Sequence, residues 1–125
     1  MKQQTEVRQL REGGYVIIDD EPCEIVSMSV SKPGKHGAAK ARIDAIGIFD
    51  GQKRSIVQPV TAKIYVPIVE RKRAQVISIV GNVAQLMDLT TYETFELTIP
   101  EGMELEPGKE IVYIESLGKR KIAEK

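Results

Sequence analysis

The amino-acid sequence predicts an all-β fold built from two small barrels. Short apolar segments alternate with polar positions, and turn residues interrupt them about every 8 to 12 residues. No segment keeps the helical period of about 3.6 residues over several turns. A charged run at Glu70–Arg73 interrupts the apolar pattern, so we expect a domain boundary near residue 70, with domains at 1–70 and 71–125.

The N-terminal segment predicts a short lead-in to the first strand. Residues 1–12 are mostly polar, and the spacing of Val7 and Leu10 fits one helical turn or an irregular arm. A glycine pair at 13–14 breaks the chain. Tyr15–Ile18 is then a short apolar run of the kind that forms a strand.

A turn and a longer strand follow. Asp19–Pro22 predicts the turn, because carboxylates tolerate turn geometry and proline cannot donate to a strand ladder. Cys23–Val30 predicts the strand, although its alternation is imperfect. Cys23 is the only cysteine, so no intramolecular disulfide can form. We expect it to be a small buried side chain in a protein of a reducing compartment.

The next strand contains a change of phase. Apolar residues occupy alternate positions from Ala41 to Ala45, but Ile46 and Ile48 fall on the opposite phase. A shift of one residue inside a strand indicates a bulge or a sharp bend, and Gly47 would permit it. We therefore expect this strand to turn a corner of a small barrel.

The clearest strand of the first half is Val60–Ile68, which keeps a strict period of two after a turn at Asp50-Gly51. In the second half, strands are expected in four apolar segments and in a basic C-terminal tail that could form an edge strand. These are Gln75–Val80, Val83–Leu89, Phe95–Ile99, Ile111–Ile114 and Lys119–Lys125.

Composition excludes several classes of protein. An apolar fraction of 42% argues against disorder, and a net charge of zero gives no overall field to attract nucleic acid. No stretch approaches the length of a membrane span, and the first residues lack a signal-peptide core. We therefore expect a soluble cytoplasmic protein without membrane association.

The charge is distributed unevenly. The segment from Ser31 to Arg42 contains four basic residues and one histidine but no acid, whereas the remainder of the chain is net acidic. This segment reads SKPGKHGAAK over residues 31–40 and lies between two predicted strands, so it is the expected tip of a long hairpin. Gly34 and Gly37 flank a Lys35-His36 pair, which suits a loop that presents one side chain far from the body.

No enzyme is indicated. His36 and Cys23 are each the only residue of their type, so no Cys/His metal site can be assembled. Gly34-Lys35 lacks the earlier glycine and the following Ser or Thr of a phosphate-binding loop. We therefore predict no catalytic residue, no metal and no cofactor. An enzyme of nucleic-acid metabolism stays the least favoured alternative.

Binding to RNA fits the sequence better. Lys32, Lys40 and Arg42 cluster without acids and are expected to contact a polyanion. Tyr92 and Tyr113 could face RNA and stack on bases, whereas Phe95 lies on an apolar face where ordinary packing is favoured. An exposed lysine between glycines, Lys35, could contact a phosphate or be modified at its amine.

The segment KPGKHGAAK closely resembles the modified loop of the translation initiation factor 5A family, which is related to bacterial elongation factor P. The family pattern is Lys-x-Gly-Lys-His-Gly-x-Ala-Lys, in which the central lysine is converted to hypusine. The matching residues here are Lys32, Gly34, Lys35, His36, Gly37, Ala39 and Lys40. Pro33 and Ala38 replace the threonine and histidine usual in eukaryotic members, so the chain resembles an archaeal member.

This resemblance implies a Src-homology-3-like barrel at 1–70, with the modified loop at 31–40, followed by an OB-fold at 71–125. It further implies that deoxyhypusine synthase transfers the aminobutyl group of spermidine to Lys35, giving deoxyhypusine or hypusine. Lys32, Gly34, His36, Gly37 and Lys40 would support contacts with that enzyme or with tRNA.

The implied activity is that of a monomeric translation factor. It would bind the ribosome near the exit site, position peptidyl-tRNA and promote peptide-bond formation at proline-rich stalls. The alternative from a different class is a general RNA-binding module that acts without modification.

Overall fold

The computed structural model describes residues 2–32 and 39–124, in which every regular element is a β-strand except one 3₁₀ turn. The chain divides into two compact units between Ile68 and Val69, next to the charged run Glu70–Arg73. Each unit has its own hydrophobic core. The predicted all-β class with two small barrels is confirmed.

The first unit is a curled antiparallel sheet in the order β2-β3-β4-β5, together with a two-stranded pair, β1-β6. Its described elements are β1 Lys2–Glu6, the 3₁₀ helix Val7–Gln9, β2 Tyr15–Ile18, β3 Glu21–Ser31, β4 Lys40–Gly47, β5 Lys53–Pro59 and β6 Lys63–Pro67.

The core of the first unit follows from the alternation of its strands. The central strand β4 buries Ala41, Ile43 and Ala45 on one face, while the intervening side chains lie on the other. Cys23 is fully buried in the same core, as expected, and burial raises the pKa of its thiol. The thiol is thus a packed, protonated side chain at neutral pH.

The turn predicted at Asp19–Pro22 is shorter in the structure. Asp19 and Asp20 alone form it, with φ of 53° and 64°, the left-handed pair of a two-residue hairpin. Glu21 and Pro22 already belong to β3. Pro22 cannot donate to the sheet and takes part as an acceptor, since its carbonyl receives the amide of Ile48 at 2.9 Å.

The bulge lies in β3 and not at Gly47 in β4, as the phase change had suggested. Ile25 pairs with Ala45 and Ser27 pairs with Asp44, so Val26 is the extra residue. Strand β4 stays regular up to Gly47. Ile46 lies within regular β4 on the same face as Asp44, and Ile48 comes after the strand has ended.

Gly47 is required for a different reason, because the side chain of Asp50 lies over it. A Cβ at this position would be 1.9 Å from Oδ1 of Asp50. That carboxylate accepts hydrogen bonds from both terminal nitrogens of Arg54, at 3.1 and 2.8 Å. The bare backbone of Gly47 thus makes room for a bidentate ion pair that ties the β4–β5 turn to β5.

We expect Gly47→Ala to lower the free energy of unfolding by about 1 to 3 kcal/mol, since the new methyl group displaces the Asp50 carboxylate. Urea unfolding measures this cost. The control is the same change in an Asp50→Ala background, where no carboxylate can clash and the cost should be smaller. An equal cost in both backgrounds would contradict the steric explanation.

The strand predicted at Val60–Ile68 is wrong in its bounds. Strand β5 ends at Pro59, a turn follows, and β6 begins at Lys63. The amide of Ala62 donates to the carbonyl of Pro59 at 3.0 Å, which closes the turn. The apolar side chains from Val60 to Val66 still pack against the core, so the period of two reported burial rather than one continuous strand.

The second unit is a five-stranded antiparallel sheet in the order β11-β10-β7-β8-β9. It curls until β9 and β11 lie beside each other, which gives a nearly closed barrel. Its strands are β7 Glu70–Val80, β8 Val83–Asp88, β9 Thr94–Thr98, β10 Glu110–Ser116 and β11 Lys119–Ile122.

The charged run is the first part of β7 rather than an interruption before it. Register pairs Lys72 with Tyr113 and Arg73 with Val112. Lys72 is accommodated because its amine donates to Glu115 on β10 at 2.6 Å. The sequence places charges here without apolar alternation, so only the strand pairing reveals the full length of β7.

Candidate functional site

The basic segment is bracketed by the two longest strands of the first sheet. Strands β3 and β4 pair up to Ser31 and Lys40, and the amide of Val60 donates to the carbonyl of Ala39 at 3.0 Å. The described residues therefore hold both ends of the segment on the barrel. Gly34, Lys35, His36 and Gly37 lie outside the described residues, so their expected roles stay predictions.

The basic side chains that flank this segment are accessible. Lys40 and Arg42 share the outer face of β4, because the side chains between and beyond them, Ala41 and Ile43, are buried. Lys32 is also exposed. The structure thus brings Lys32, Lys40 and Arg42 to one end of the hairpin with their charges in solvent, where they can contact a polyanion.

A hydrogen-bonded row crosses the outer face below these residues. The carboxylate of Asp44 accepts from Ser27 Oγ on β3 at 2.8 Å and from Ser55 Oγ on β5 at 2.5 Å. It also receives the guanidinium of Arg42 at 3.3 Å. These bonds, first that of Ser55, lower the pKa of Asp44. The carboxylate is therefore ionised at neutral pH and joins three strands.

A groove of about 740 Å³ lies on the opposite side of the hairpin base. Its floor is apolar, and its rim carries charged side chains from the N-terminal segment. The lining residues are Arg8, Leu10, Arg11, Glu12, Met28, Val30, Ala39 and Val60. Glu12 is held there by accepting the amide of Met28 at 3.0 Å. Strand β3 is therefore partly open to solvent at the hairpin base, where Val30 is 56% exposed.

The two tyrosines predicted to face RNA have different environments. Tyr92 is 69% exposed in the β8–β9 loop, with φ of 62°. Tyr113 is only 1% exposed, so it cannot stack on a base, and that prediction is wrong. Period-two alternation places Tyr113 with buried Ile111 on the core face of β10, which could have been read from the sequence.

Tyr113 instead belongs to a buried polar network. Its hydroxyl donates to Asp88 Oδ2 at 2.5 Å, and the other Asp88 oxygen accepts the amides of Thr90 and Thr91 at 2.7 and 2.8 Å. Asp88 is 3% exposed. Its hydrogen bonds, first that of Tyr113, lower the pKa of Asp88 to about 2. The network therefore fixes the loop that carries Tyr92.

Phe95 packs as expected. Its ring lies 4.9 Å from that of Tyr113 at an angle of 59°, and the guanidinium of Arg120 covers it at 4.5 Å. Arg120 also bonds Glu115 and Glu93, so this basic residue of the C-terminal tail is used within the barrel. Arg120 is thus committed to internal contacts.

Sequence reasoning missed the row formed by Ser27, Asp44 and Ser55. Alternation could have placed Asp44 on the outer face beside Arg42. The partner on β3 could not be found, because the extra residue Val26 shifts its register by one, and the partner Ser55 depends on how β4 pairs with β5. The structure therefore places a bonded carboxylate directly below the acid-free segment Ser31–Arg42.

Two negative results concern the described residues alone. Within 2–32 and 39–124, no three His, Cys, Asp or Glu side chains converge so as to hold a metal ion. Within the same ranges, no helix has the length and apolar character needed to cross a membrane.

Both units match known families. Residues 2–62 match the family model described as "Translation initiation factor 5A-like, N-terminal". Residues 68–124 match the model described as "Eukaryotic elongation factor 5A hypusine, DNA-binding OB fold". The second barrel is therefore an OB-fold, as the resemblance implied.

Relatives match over nearly the full length. Translation initiation factor 5A of Archaeoglobus fulgidus is 82% identical over 98% of this chain and 97% of its own. That of Methanocella arvoryzae is 68% identical over 98% of each chain. The structure of "Eukaryotic translation initiation factor 5A from Methanococcus jannaschii" shares 55% identity with a TM-score of 0.91, over 98% of this chain and 92% of that one.

These relatives are archaeal, in agreement with Pro33 and Ala38 in the loop. The two family models together span nearly the whole sequence, and they include both the strands that bracket the basic segment and the second barrel. The chain therefore belongs to the translation initiation factor 5A family.

Proposed function

We propose that this protein acts in translation through a modified lysine at position 35. Deoxyhypusine synthase would transfer the aminobutyl group of spermidine to the amine of Lys35. A carbon–nitrogen bond of spermidine breaks, a new one forms to Nζ, and a shorter diamine leaves. The product is deoxyhypusine, or hypusine after hydroxylation. No cofactor resident in this chain takes part.

The observation that supports this proposal is the position of the motif. KPGKHGAAK connects β3 and β4, whose paired ends lie on a rigid barrel, in a chain whose second family model is described with the word hypusine. The flanking Lys32, Lys40 and Arg42 carry exposed positive charge. Such charges attract both the phosphates of RNA and an acidic enzyme surface.

The modified side chain would act by positioning. The protein, as a cytoplasmic monomer, would bind the ribosome near the exit site, and the lengthened dication would reach the acceptor end of peptidyl-tRNA. Holding two reactants in a productive geometry lowers the entropic part of the barrier to reaction. The proposed factor would give this help at proline-rich sequences, where peptide-bond formation stalls. The barrel would position the modified side chain, and the ribosome would catalyse peptide-bond formation.

Intact-mass measurement of protein purified from its native source tests this function. We expect an added mass of one aminobutyl group, with or without one oxygen, and fragment ions that place it on Lys35. Protein made in a host without the synthase is the matched control and should have the unmodified mass. Native protein without added mass would favour the general RNA-binding module instead.

A further inference from the structure

The direction of the hairpin depends on the bulge in β3. Val26 is the extra residue, and the pairing of β3 with β4 resumes at Ser27 and continues to Ser31 and Lys40. A bulge bends its strand and increases the local twist. The bulge therefore determines the direction of the part of the β3–β4 hairpin that follows Ser27.

The side chain of Asp44 is hydrogen-bonded at the position of the bulge. Ser27 is the first residue after the bulge, and its hydroxyl donates to Asp44, which lies directly opposite on β4. Ser55 donates to the same carboxylate from the other side, on β5. If the bulge were lost, Val26 would pair with Asp44 in place of Ser27, and every later side chain of β3 would change faces.

The bonds that Asp44 makes are of the strong kind. They join neutral hydroxyls to an ionised carboxylate, and they cross two strand pairs from the central strand β4. The Asp44 side chain is 33% exposed and is not part of the hydrophobic core. It can therefore be changed without opening a core cavity.

We infer that Asp44 is a positioning residue: its carboxylate fixes the register at the bulge and so the direction in which the hairpin presents Lys35. This inference rests on the proposed function, in which Lys35 must enter the active site of the modifying enzyme. If the hairpin samples several directions, only a fraction of molecules is competent to bind, and the apparent affinity falls by that fraction.

The second barrel supplies a matched control. Strand β7 has the same kind of register shift between Val76 and Ser78, and Ser78 Oγ donates to Gln85 Oε1 at 3.1 Å across the strand pair. No modified segment follows that bulge. Gln85→Ala therefore removes a comparable cross-strand bond at a comparable bulge while leaving the β3–β4 hairpin intact.

The experiment measures aminobutyl transfer from spermidine by purified deoxyhypusine synthase as the concentration of the full-length protein is varied. We expect Asp44→Ala to raise KM for the protein about tenfold with little change in kcat, since a bound hairpin is held by the enzyme. Asp44→Asn should stay within about twofold of wild type, because an amide can accept from one serine and donate to the other. Gln85→Ala should behave as wild type.

Hydrogen exchange supplies a second readout that does not depend on the enzyme. Asp44→Ala should speed exchange of the β3–β4 amides between Ser27 and Ile43, while Asp44→Asn and Gln85→Ala should not. If Asp44→Ala does not fold, Ser27→Ala and Ser55→Ala each remove one bond and should give intermediate increases in KM.

The outcomes separate the inference from the function on which it rests. Wild-type protein that is not modified contradicts the proposed function. If wild type is modified and the variants Asp44→Ala, Ser27→Ala and Ser55→Ala have the KM and the hydrogen-exchange rates of wild type, the role of Asp44 is overturned. An equal rise in KM for Gln85→Ala would assign the effect to general stability, and this result would also overturn the role of Asp44.

Discussion

Lys35→Arg is expected to abolish the modification and to reduce the stimulation of polyproline synthesis more than about tenfold, the scale on which loss of positioning acts. Arginine keeps the positive charge, but its delocalised guanidinium cannot accept the aminobutyl group. The variant therefore separates modification from charge. The measurement is the yield of a polyproline reporter in a translation extract depleted of the endogenous factor, with wild type and variant both treated with synthase and spermidine.

Lys32→Arg and Lys40→Arg are the matched controls for this result. Both are basic residues at the two ends of the motif, and neither accepts the aminobutyl group in the proposed reaction. They should retain the modification and most of the reporter yield. If Lys35→Arg supported the reporter as well as wild type, the modification-based function would be wrong, and unmodified RNA binding would become the favoured activity.

Asp88→Ala is expected to lower the free energy of unfolding of the second barrel by about 2 to 4 kcal/mol. The change removes the acceptor for the Tyr113 hydroxyl and for two amides of the Thr90–Thr91 turn. Since Tyr113 is buried, its hydroxyl would be left without that partner. Urea unfolding followed by circular dichroism measures the loss.

A second variant tests the reason for this cost. Tyr113→Phe should cost about 1 kcal/mol, since Asp88 keeps its two backbone donors. In the double variant, no hydroxyl is left unpaired by the loss of Asp88. The combined cost should therefore be smaller than the two single costs added together. Strict additivity would contradict the coupling.

The same network gives a pH dependence of known sign. The fold holds the pKa of Asp88 at about 2, below the value of about 3.9 for an unfolded aspartate. Ionised Asp88 therefore stabilises the barrel above about pH 4, and the contribution, about 2 kcal/mol, is lost as the pH falls toward 2. Between about pH 4 and pH 2, the free energy of unfolding should fall more steeply for wild type than for Asp88→Asn. Parallel curves for the two proteins would contradict this assignment.

Alternation predicted much of the fold, because the period of two depends only on which side chains face the core. Short apolar runs placed Tyr15–Ile18 and Ile111–Ile114 within strands, and the usual burial of a free cysteine placed Cys23 inside. Alternation failed where pairing, rather than burial, decides a boundary. Pro59 ends β5 although the apolar pattern continues, and the charged residues at the start of β7 join a strand because Glu115 neutralises Lys72.

The proposed functional segment can be located in the sequence for a similar reason. A basic motif between two strands is a local property, and the residues Lys32 to Lys40 carry the family resemblance by themselves. Tyr113 shows the opposite case. Its aromatic ring suggested base stacking, but the fold turns it into the core, where its hydroxyl bonds Asp88.

By itself, the sequence determined the all-β class and the presence of two barrels, and it supplied the motif whose family resemblance makes Lys35 the proposed site of modification. These follow from patterns of neighbouring residues. Only the tertiary structure decided where the bulge in β3 lies and that Ser27, Asp44 and Ser55 meet across three strands. The physical reason is that register depends on hydrogen bonds between residues distant in the chain, and one extra residue, Val26, changes every pairing after it.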